Sequence, residues 1–406
     1  MRLQVALYKY LIRRAARRHG LIDPVSFLSR LRSFSQPSEI KEPMTLVRAG
    51  LLFHARGMIN ARAIQFNLDW VWPYWVERQF DPSDPSFIPR GYAPTPVNLT
   101  QRNWTAVGIP GAPVYPLVDP RGLVTPFFDG WSLDFWLMAA DGRCLLPSKL
   151  AEADQSVRFH RELTVRTRVA LDDLSLDSRV WVELADQGPV LKIRLAGACG
   201  PQGRLAVSVR PYNPEGIQFV ETLASTEDGR TLEVDGTGRV RFDRGPSMVY
   251  LSNYEKGDVQ AMQPEMERER IACSIGMATG AAVFPADAQG RAQLEVAVPL
   301  DVDLRRHFPK VIVGFHSWED ALRDTANLEI SDARVSFLYE AARRTLVLLS
   351  SAEIYPGPFT YRRFWFRDAV LMGNALLGLN LGGSLGRHLQ RFPERQKHDG
   401  FFESQE

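Results

Sequence analysis

From about Met44 to Pro309 the sequence is written in a period of two. Short runs alternate apolar with polar residues, or concentrate Val, Ile, Trp and Phe, and turn-forming pairs separate them. Successive side chains of a strand point to opposite faces, so a run of this kind makes a strand with one face in a core. The clearest are Leu163–Leu171 (LTVRTRVAL), Arg179–Leu184 (RVWVEL), Val190–Leu195 (VLKIRL), Leu205–Pro211 (LAVSVRP), Met248–Leu251 (MVYL) and Gln293–Leu300 (QLEVAVPL). Asp141-Gly142, Asp228-Gly229, Asp235-Gly236 and Gln289-Gly290 punctuate them, and Asp-Gly favours the tight turn of a hairpin. Almost no helical period lies between the runs. This excludes a parallel sheet built from βαβ units and predicts antiparallel sheets packed as a large sandwich.

Near Ser331 the period lengthens. Ser331 or Asp332 can cap a helix in which Val335, Leu338, Ala342, Leu346 and Leu349 recur at helical spacing through Ser350. A second helix is predicted from about Arg367 to Leu381, burying Val370, Ala375, Leu376 and Leu379 and stopped by Gly382-Gly383. Ser384 can cap a third, which runs to Arg391 and is closed by Pro393. Three helices joined end to end form the opening of an all-helical domain. At 406 residues the chain exceeds one comfortable core. The expected division is a basic N-terminal helical segment with its linker (1–43), a β-sandwich domain (44–310) and a linking helix with the first helices of the next domain (311–406).

Charge and cysteine usage narrow the function classes. A net charge of +2 gives no electrostatic case for nucleic acid as a partner. Residues 1–32 carry eight Lys/Arg against Asp23, a lead of +7 that leaves −5 for the remainder. Leu3, Leu7, Tyr10 and Leu11 share a helical face there, with Arg13, Arg14, Arg17 and Arg18 crowded behind them. A basic amphipathic helix over residues 1–18 suits an anionic membrane surface or a neighbouring subunit. Its apolar stripe is short, and the expectation is a solvated helix packed on its own protein. Cys144, Cys199 and Cys273 are odd in number and far apart, which excludes a disulfide framework and a cysteine zinc site. Charge recurs throughout MRLQVALYKYLIRRAARRHG, leaving no apolar run of signal-peptide or spanning length, so a cytoplasmic location is expected. There is no Walker loop, no GxGxxG opening a helix, no GxSxG elbow and no HExxH. His54, His160, His307 and His316 are scattered and read as structural or solvated, and Glu265–Arg270 (EMERER) as a solvated face.

The candidate functional stretch is Tyr355–Asp368, YPGPFTYRRFWFRD. Pro356, Gly357 and Pro358 keep its first part out of a helix, so it is a shaped loop that ends by starting one. It gathers Tyr361, Trp365, Arg367 and Asp368. An aromatic face beside a guanidinium and a carboxylate suits a sugar ring, whose C–H face stacks while its hydroxyls take paired hydrogen bonds. The same residues also suit an Arg–Asp ion pair capping a helix beside a core Trp. In an up–down helical array alternate connections open on the same face, which places the loop 393–402, with His398, Asp399 and Phe401, beside this one. Trp70, Trp72, Trp75, Trp104, Trp131 and Trp136 are expected to fill the core between sheets, with a carbohydrate-stacking surface as the alternative.

A long antiparallel β region, a linking helix and then Trp365-Phe366-Arg367-Asp368-Ala369 resembles the bacterial glucoamylase, glucodextranase and trehalase-like inverting glycoside hydrolases of the six-hairpin glycosidase superfamily. Their first barrel loop carries a W-x-R-D-A signature. Arg210-Pro211-Tyr212-Asn213-Pro214 and Asn103-Trp104-Thr105 look like landmarks of related N-domains. The resemblance implies a β-supersandwich followed by the first helices of an (α/α)6 barrel. It also implies an oligo- or polysaccharide substrate, α-glucosidic hydrolysis by two carboxylates, and no metal or organic cofactor. Carried over by position, it makes Arg367 and Asp368 partners of the non-reducing-end sugar's hydroxyls and Trp365 the wall of that subsite, with Tyr361 and Asp399 at its rim. Inverting hydrolysis needs the two carboxylates roughly 6.5–9.5 Å apart. No residue here matches those on the later barrel loops, and Glu403 reads as an ordinary loop carboxylate. HDGFFESQE has the texture of an active-site loop, and the expectation is an N-terminal part of a longer protein or a gene model cut short. A glycoside phosphorylase relative and a non-catalytic carbohydrate-binding scaffold are the competing expectations.

Overall fold

A computed structural model describes residues 63–87, 103–128, 130–300, 314–359, 361–402 and 404. All lie in the second of two compact units, Arg56–Glu406. The basic amphipathic helix and linker expected in residues 1–43 lie outside the described residues, as do His54, His307 and Glu403.

Two antiparallel sheets make up the β region. One has eight strands in the order β1 (Thr105–Ala106), β2 (Leu117–Val118), β3 (Val124–Thr125), β4 (Ser132–Met138), β10 (Arg204–Arg210), β18 (Thr279–Pro285) and β16 (Met248–Ser252), with β5 (Cys144–Leu145) also on β4. The other has nine: β17 (Arg270–Ala272), β13 (Thr222–Ser225), β14 (Thr231–Val234), β15 (Gly238–Phe242), β19 (Arg291–Pro299), β9 (Gly188–Ala198), β8 (Leu174–Ala185), β7 (Leu163–Leu171) and β6 (Asp154–Phe159). A small hairpin of β11 (Tyr212–Asn213) and β12 (Gly216–Ile217) stands apart. The period of two fixes which face each residue takes. On β7 and β8, Val165, Val169, Leu176, Val180 and Val182 point inward. They join one core with Leu133, Phe135, Leu137, Leu205, Val207 and Val209 from the facing sheet. The β7–β8 hairpin turns on Asp172, which takes a left-handed backbone at φ 52°, with Leu171 paired to Leu174.

The eight-stranded sheet is buried on both faces, so β4 shows no exposed position at all. Trp136, Met138, Ala206, Ala281 and Val283 pack away from the main core, against Val71, Val259 and Met266. Trp70, Trp72, Trp75, Trp131 and Trp136 are all buried, as a core filling requires. Trp104 is the exception: it is half-buried and stacks edge-on to Phe359 of the later loop.

The helices follow the sandwich. The first helices of the chain's later part are α1 (Trp318–Leu322), α2 (Ala333–Leu349), α3 (Phe366–Gly378) and α4 (Gly382–Leu389). Asp332 caps α2, its Oδ1 accepting from Arg334 N and Val335 N at 2.8 and 3.1 Å. Four expectations fail here, one of them the cap of the third helix: Ser384 lies inside α4, whose N-cap is Leu381. On α2 the first part of the apolar stripe, Val335, Leu338 and Ala342, is exposed and Arg343 and Arg344 are buried in its place, while Leu346 is half-buried and Leu349 is buried beside Leu348. On α3 Val370 is 61% exposed and Ala375 is also exposed, while Leu376 and Leu379 are buried as expected. Gly382-Gly383 begins α4 and does not stop α3. The stop is Asn380, left-handed at φ 63°, with Leu381 N donating to Leu376 O and Asn380 N to Leu377 O. Asn is among the few residues that adopt that backbone readily, and here its side-chain amide donates to Asp324 O at 2.8 Å, tying the end of α3 to the segment after α1.

Candidate functional site

Between α2 and α3 the chain passes through a loop that is fastened on both sides. Towards the sandwich, Phe359 packs on Trp104 and Phe128 with ring centroids 6.1 and 5.2 Å apart. Arg362 lies over the rings of Tyr115 and Phe128 at 5.1 and 4.7 Å and donates to the Pro113 carbonyl. Towards the helices, Tyr355 N donates to Leu349 O, and buried Glu353 takes Arg395 and, at 3.5 Å, Arg391. His388 Nε2 sits 2.9 Å from Ser350 O. A loop held this way presents its last residues in a set geometry.

Those last residues are the expected site. Trp365 is the N-cap position of α3, in extended backbone at φ −133°, and supplies no side-chain cap. Tyr361 meets it edge-on with centroids 6.3 Å apart and is 45% exposed. Arg367 has an 80% exposed side chain, and its Nη2 donates to Asp368 Oδ2 at 3.2 Å. Asp368 lies in the first turn of α3, where the helix dipole favours a negative charge. With Arg367 open to water and Asp368 half-buried, the pair contributes little to the fold, and Arg367 can leave Asp368 for a ligand's hydroxyl. The Trp365 indole N–H is buried with no hydrogen-bond acceptor among the described residues. A buried donor without an acceptor is uncommon and costs free energy.

The second loop does reach this end of the helices. Phe366 stacks edge-on with Phe392 and Phe402 at 5.3 and 5.1 Å, and Phe366 N donates to Ser404 O at 3.1 Å. Asp399 is on that loop but is exposed in a turn, its Oδ1 accepting from Phe401 N at 3.1 Å. Among the described residues no hydrogen bond or ion pair joins it to the other four. The structure pairs Tyr361 with Trp365 and Arg367 with Asp368 at the start of α3, and leaves Asp399 apart from both.

A second polar cluster lay hidden in the sequence. Arg210, wholly buried, donates to both oxygens of Asp258 at 2.7 and 2.6 Å, to Val71 O at 2.9 Å and to Tyr212 Oη at 3.2 Å. Asp258 also accepts from Val71 N at 2.7 Å, and the guanidinium lies over the Trp136 ring at 5.3 Å. Sealed off and fully satisfied, the group fastens the segment around Trp70–Trp72 to the sheet; it is structural. Arg210 and Tyr212 were visible as the landmark RPYNP, and only the burial shows why those types stand there. No group of three or more His, Cys, Asp or Glu suited to a metal occurs among the described residues, and none of their helices is long and apolar enough to cross a membrane.

No protein-family model matches the sequence, and no curated protein matches it. Solved structures do. A bacterial glucoamylase in complex with acarbose superposes with a TM-score of 0.50 at 10% identity, covering 75% of this chain and 52% of the glucoamylase. A kojibiose phosphorylase described from the human microbiome overlaps less closely, with a TM-score of 0.38 at 7% identity over 72% of this chain and 43% of its own. A family GH92 α-mannosidase of Bacteroides thetaiotaomicron gives 0.29 at 9% identity over 61% and 39%. The chain thus spans about half the length of the glucoamylase, and at this identity what the two share is the fold: antiparallel sandwich first, helices after.

Proposed function

We propose that this chain carries the non-reducing-end sugar subsite of an enzyme that hydrolyses α-glucosidic linkages of an oligo- or polysaccharide with inversion. One observation supports it above the others: a Tyr361–Trp365 aromatic pair and an Arg367–Asp368 ion pair follow one another at the end of a braced loop where sandwich gives way to helices. The fold that surrounds the two pairs is shared with a glucoamylase solved with acarbose. In this reading the Trp365 ring walls the sugar, and the fork of Arg367 and the carboxylate of Asp368 take adjacent hydroxyls, one as donor and the other as acceptor. Asp399 stands on the converging loop and joins the rim only by turning from its own Phe401 amide.

Inverting hydrolysis needs one carboxylic acid to protonate the leaving oxygen and one carboxylate to activate water from the opposite face. Neither role is assigned to a residue of this sequence; the proposal leaves both to later loops of the same helical array. Calorimetric titration of the full-length protein with acarbose tests the subsite. Arg367→Ala and Asp368→Asn should each weaken binding by about tenfold or more, the loss of one charge-assisted hydrogen bond, with circular dichroism unchanged. Equal affinity in wild type and both variants would remove the assignment.

A further inference from the structure

Where α2 crosses the end of the nine-stranded sheet there is a cavity of about 770 Å³. His160 and Arg161 come to it from the β6–β7 turn, His316 and Trp318 from the start of α1, Arg323 from its end, and Arg344 from α2. Arg344 explains why α2 turns arginines inward. Its guanidinium lies over the rings of Trp318 and Phe159 at 4.9 and 5.3 Å, and its side chain is only 9% exposed. Its Nε and Nη1 have no hydrogen-bond acceptor among the described residues. Glu340 Oε2 forms an ion pair with Arg344 Nε at 3.6 Å, beyond hydrogen-bond length, while its Oε1 accepts a hydrogen bond from Arg343. Burial accordingly pulls the Arg344 guanidinium below its ordinary value.

A buried guanidinium on aromatic faces, with one carboxylate beyond hydrogen-bond length and two N–H groups lacking an acceptor, leaves a costly gap that a further acceptor would fill. Glu162, Glu183 and Glu319 also line the cavity, yet Glu183 is already engaged by Lys192 at 3.5 Å and the Trp181 indole at 3.3 Å. Arg161, exposed at the mouth, adds a further positive charge to the lining. The volume is that of a small-molecule site and too large for a lone ion. Val182 and Leu322 give it an apolar wall.

We propose that this cavity binds a small organic anion whose phosphate or carboxylate head sits on Arg344 and whose body lies along the apolar wall. The site is separate from the Trp365 loop and does not depend on the sugar reading. Titration calorimetry of the full chain with inorganic phosphate, benzoate and phenyl phosphate tests it, and the ranking of the three identifies the head group. At least one of the two aromatic probes should bind, and more tightly than inorganic phosphate. Arg344→Met, which keeps the stem's packing, should weaken that probe at least tenfold. Should Arg344→Met fail to fold by circular dichroism, Arg344→Lys takes its place, retaining the charge while losing the forked donors, and is expected to weaken the probe several-fold. Absence of heat with all three probes, or an affinity unchanged in the folded variant, would overturn the proposal.

Discussion

Asp119 is 2% exposed, and its Oδ1 accepts from the amides of Arg121 and Leu123, both at 2.8 Å. Burial pushes its carboxyl up to about 7, and burial likewise pushes Asp134, which accepts from the Trp136 indole, up to about 6. A folded-state value above the unfolded one, near 4, means that the folded chain keeps a proton the unfolded chain gives up. The stabilising contribution is therefore whole below about pH 4 and lost as pH rises through 6 and 7. Asp119→Asn keeps the Oδ1 acceptor and cannot ionise. Urea midpoints followed from about pH 4.5 to about 8.5 should fall with pH in the wild type and fall less steeply in Asp119→Asn; parallel profiles would contradict this. No sequence pattern announces such a residue, because its behaviour comes from neighbours that only the fold supplies. Trp365, Arg367 and Asp368 are a different case. They are near neighbours in sequence, so the loop-to-helix transition, readable from Pro356 and Pro358, by itself sets all three at the start of α3.

Strands were legible as elements because alternation and turn chemistry agree: Leu163–Leu171 is β7 residue for residue, and Asp235 and Gly236 at φ 50° and 67° make the β14–β15 turn. The helical elements were legible in position but not in orientation. A stripe such as Val335, Leu338 and Ala342 states which residues are apolar, and tertiary packing decides whether that side or the one bearing Arg343 and Arg344 meets the sandwich. The second face of the eight-stranded sheet was invisible for another reason. Its fastening pairs Arg210 with Asp258, 48 residues apart in sequence, and no local period links them. Removing one partner leaves the other charge buried and alone. Asp258→Ala should therefore lower unfolding stability by about 3–5 kcal/mol in urea denaturation. A loss under about 1 kcal/mol would show that the segment around Trp70–Trp72 is held by apolar packing alone.

At the scale of the whole molecule, the order of sandwich and helices followed from the change of period near Ser331, and the fold shared with a glucoamylase has the same order. The meeting of the two inter-helix loops also followed, from the parity of connections, and is built from Phe364, Phe366, Phe392 and Phe402. Parity places a loop at an end, not a side chain in a site, and so Asp399 arrives at the right end with its carboxylate turned to its own backbone. The central claim is that a sugar is held at the junction by the face of Trp365. Nitrogen-15 spectra of the tryptophan indoles in the full chain, with Trp365→Phe to assign the signal, test it during an acarbose titration. The account predicts that the Trp365 indole resonance moves with saturable dependence while those of the buried Trp70, Trp72 and Trp136 stay in place. A Trp365 resonance that stays fixed to saturating acarbose would contradict it.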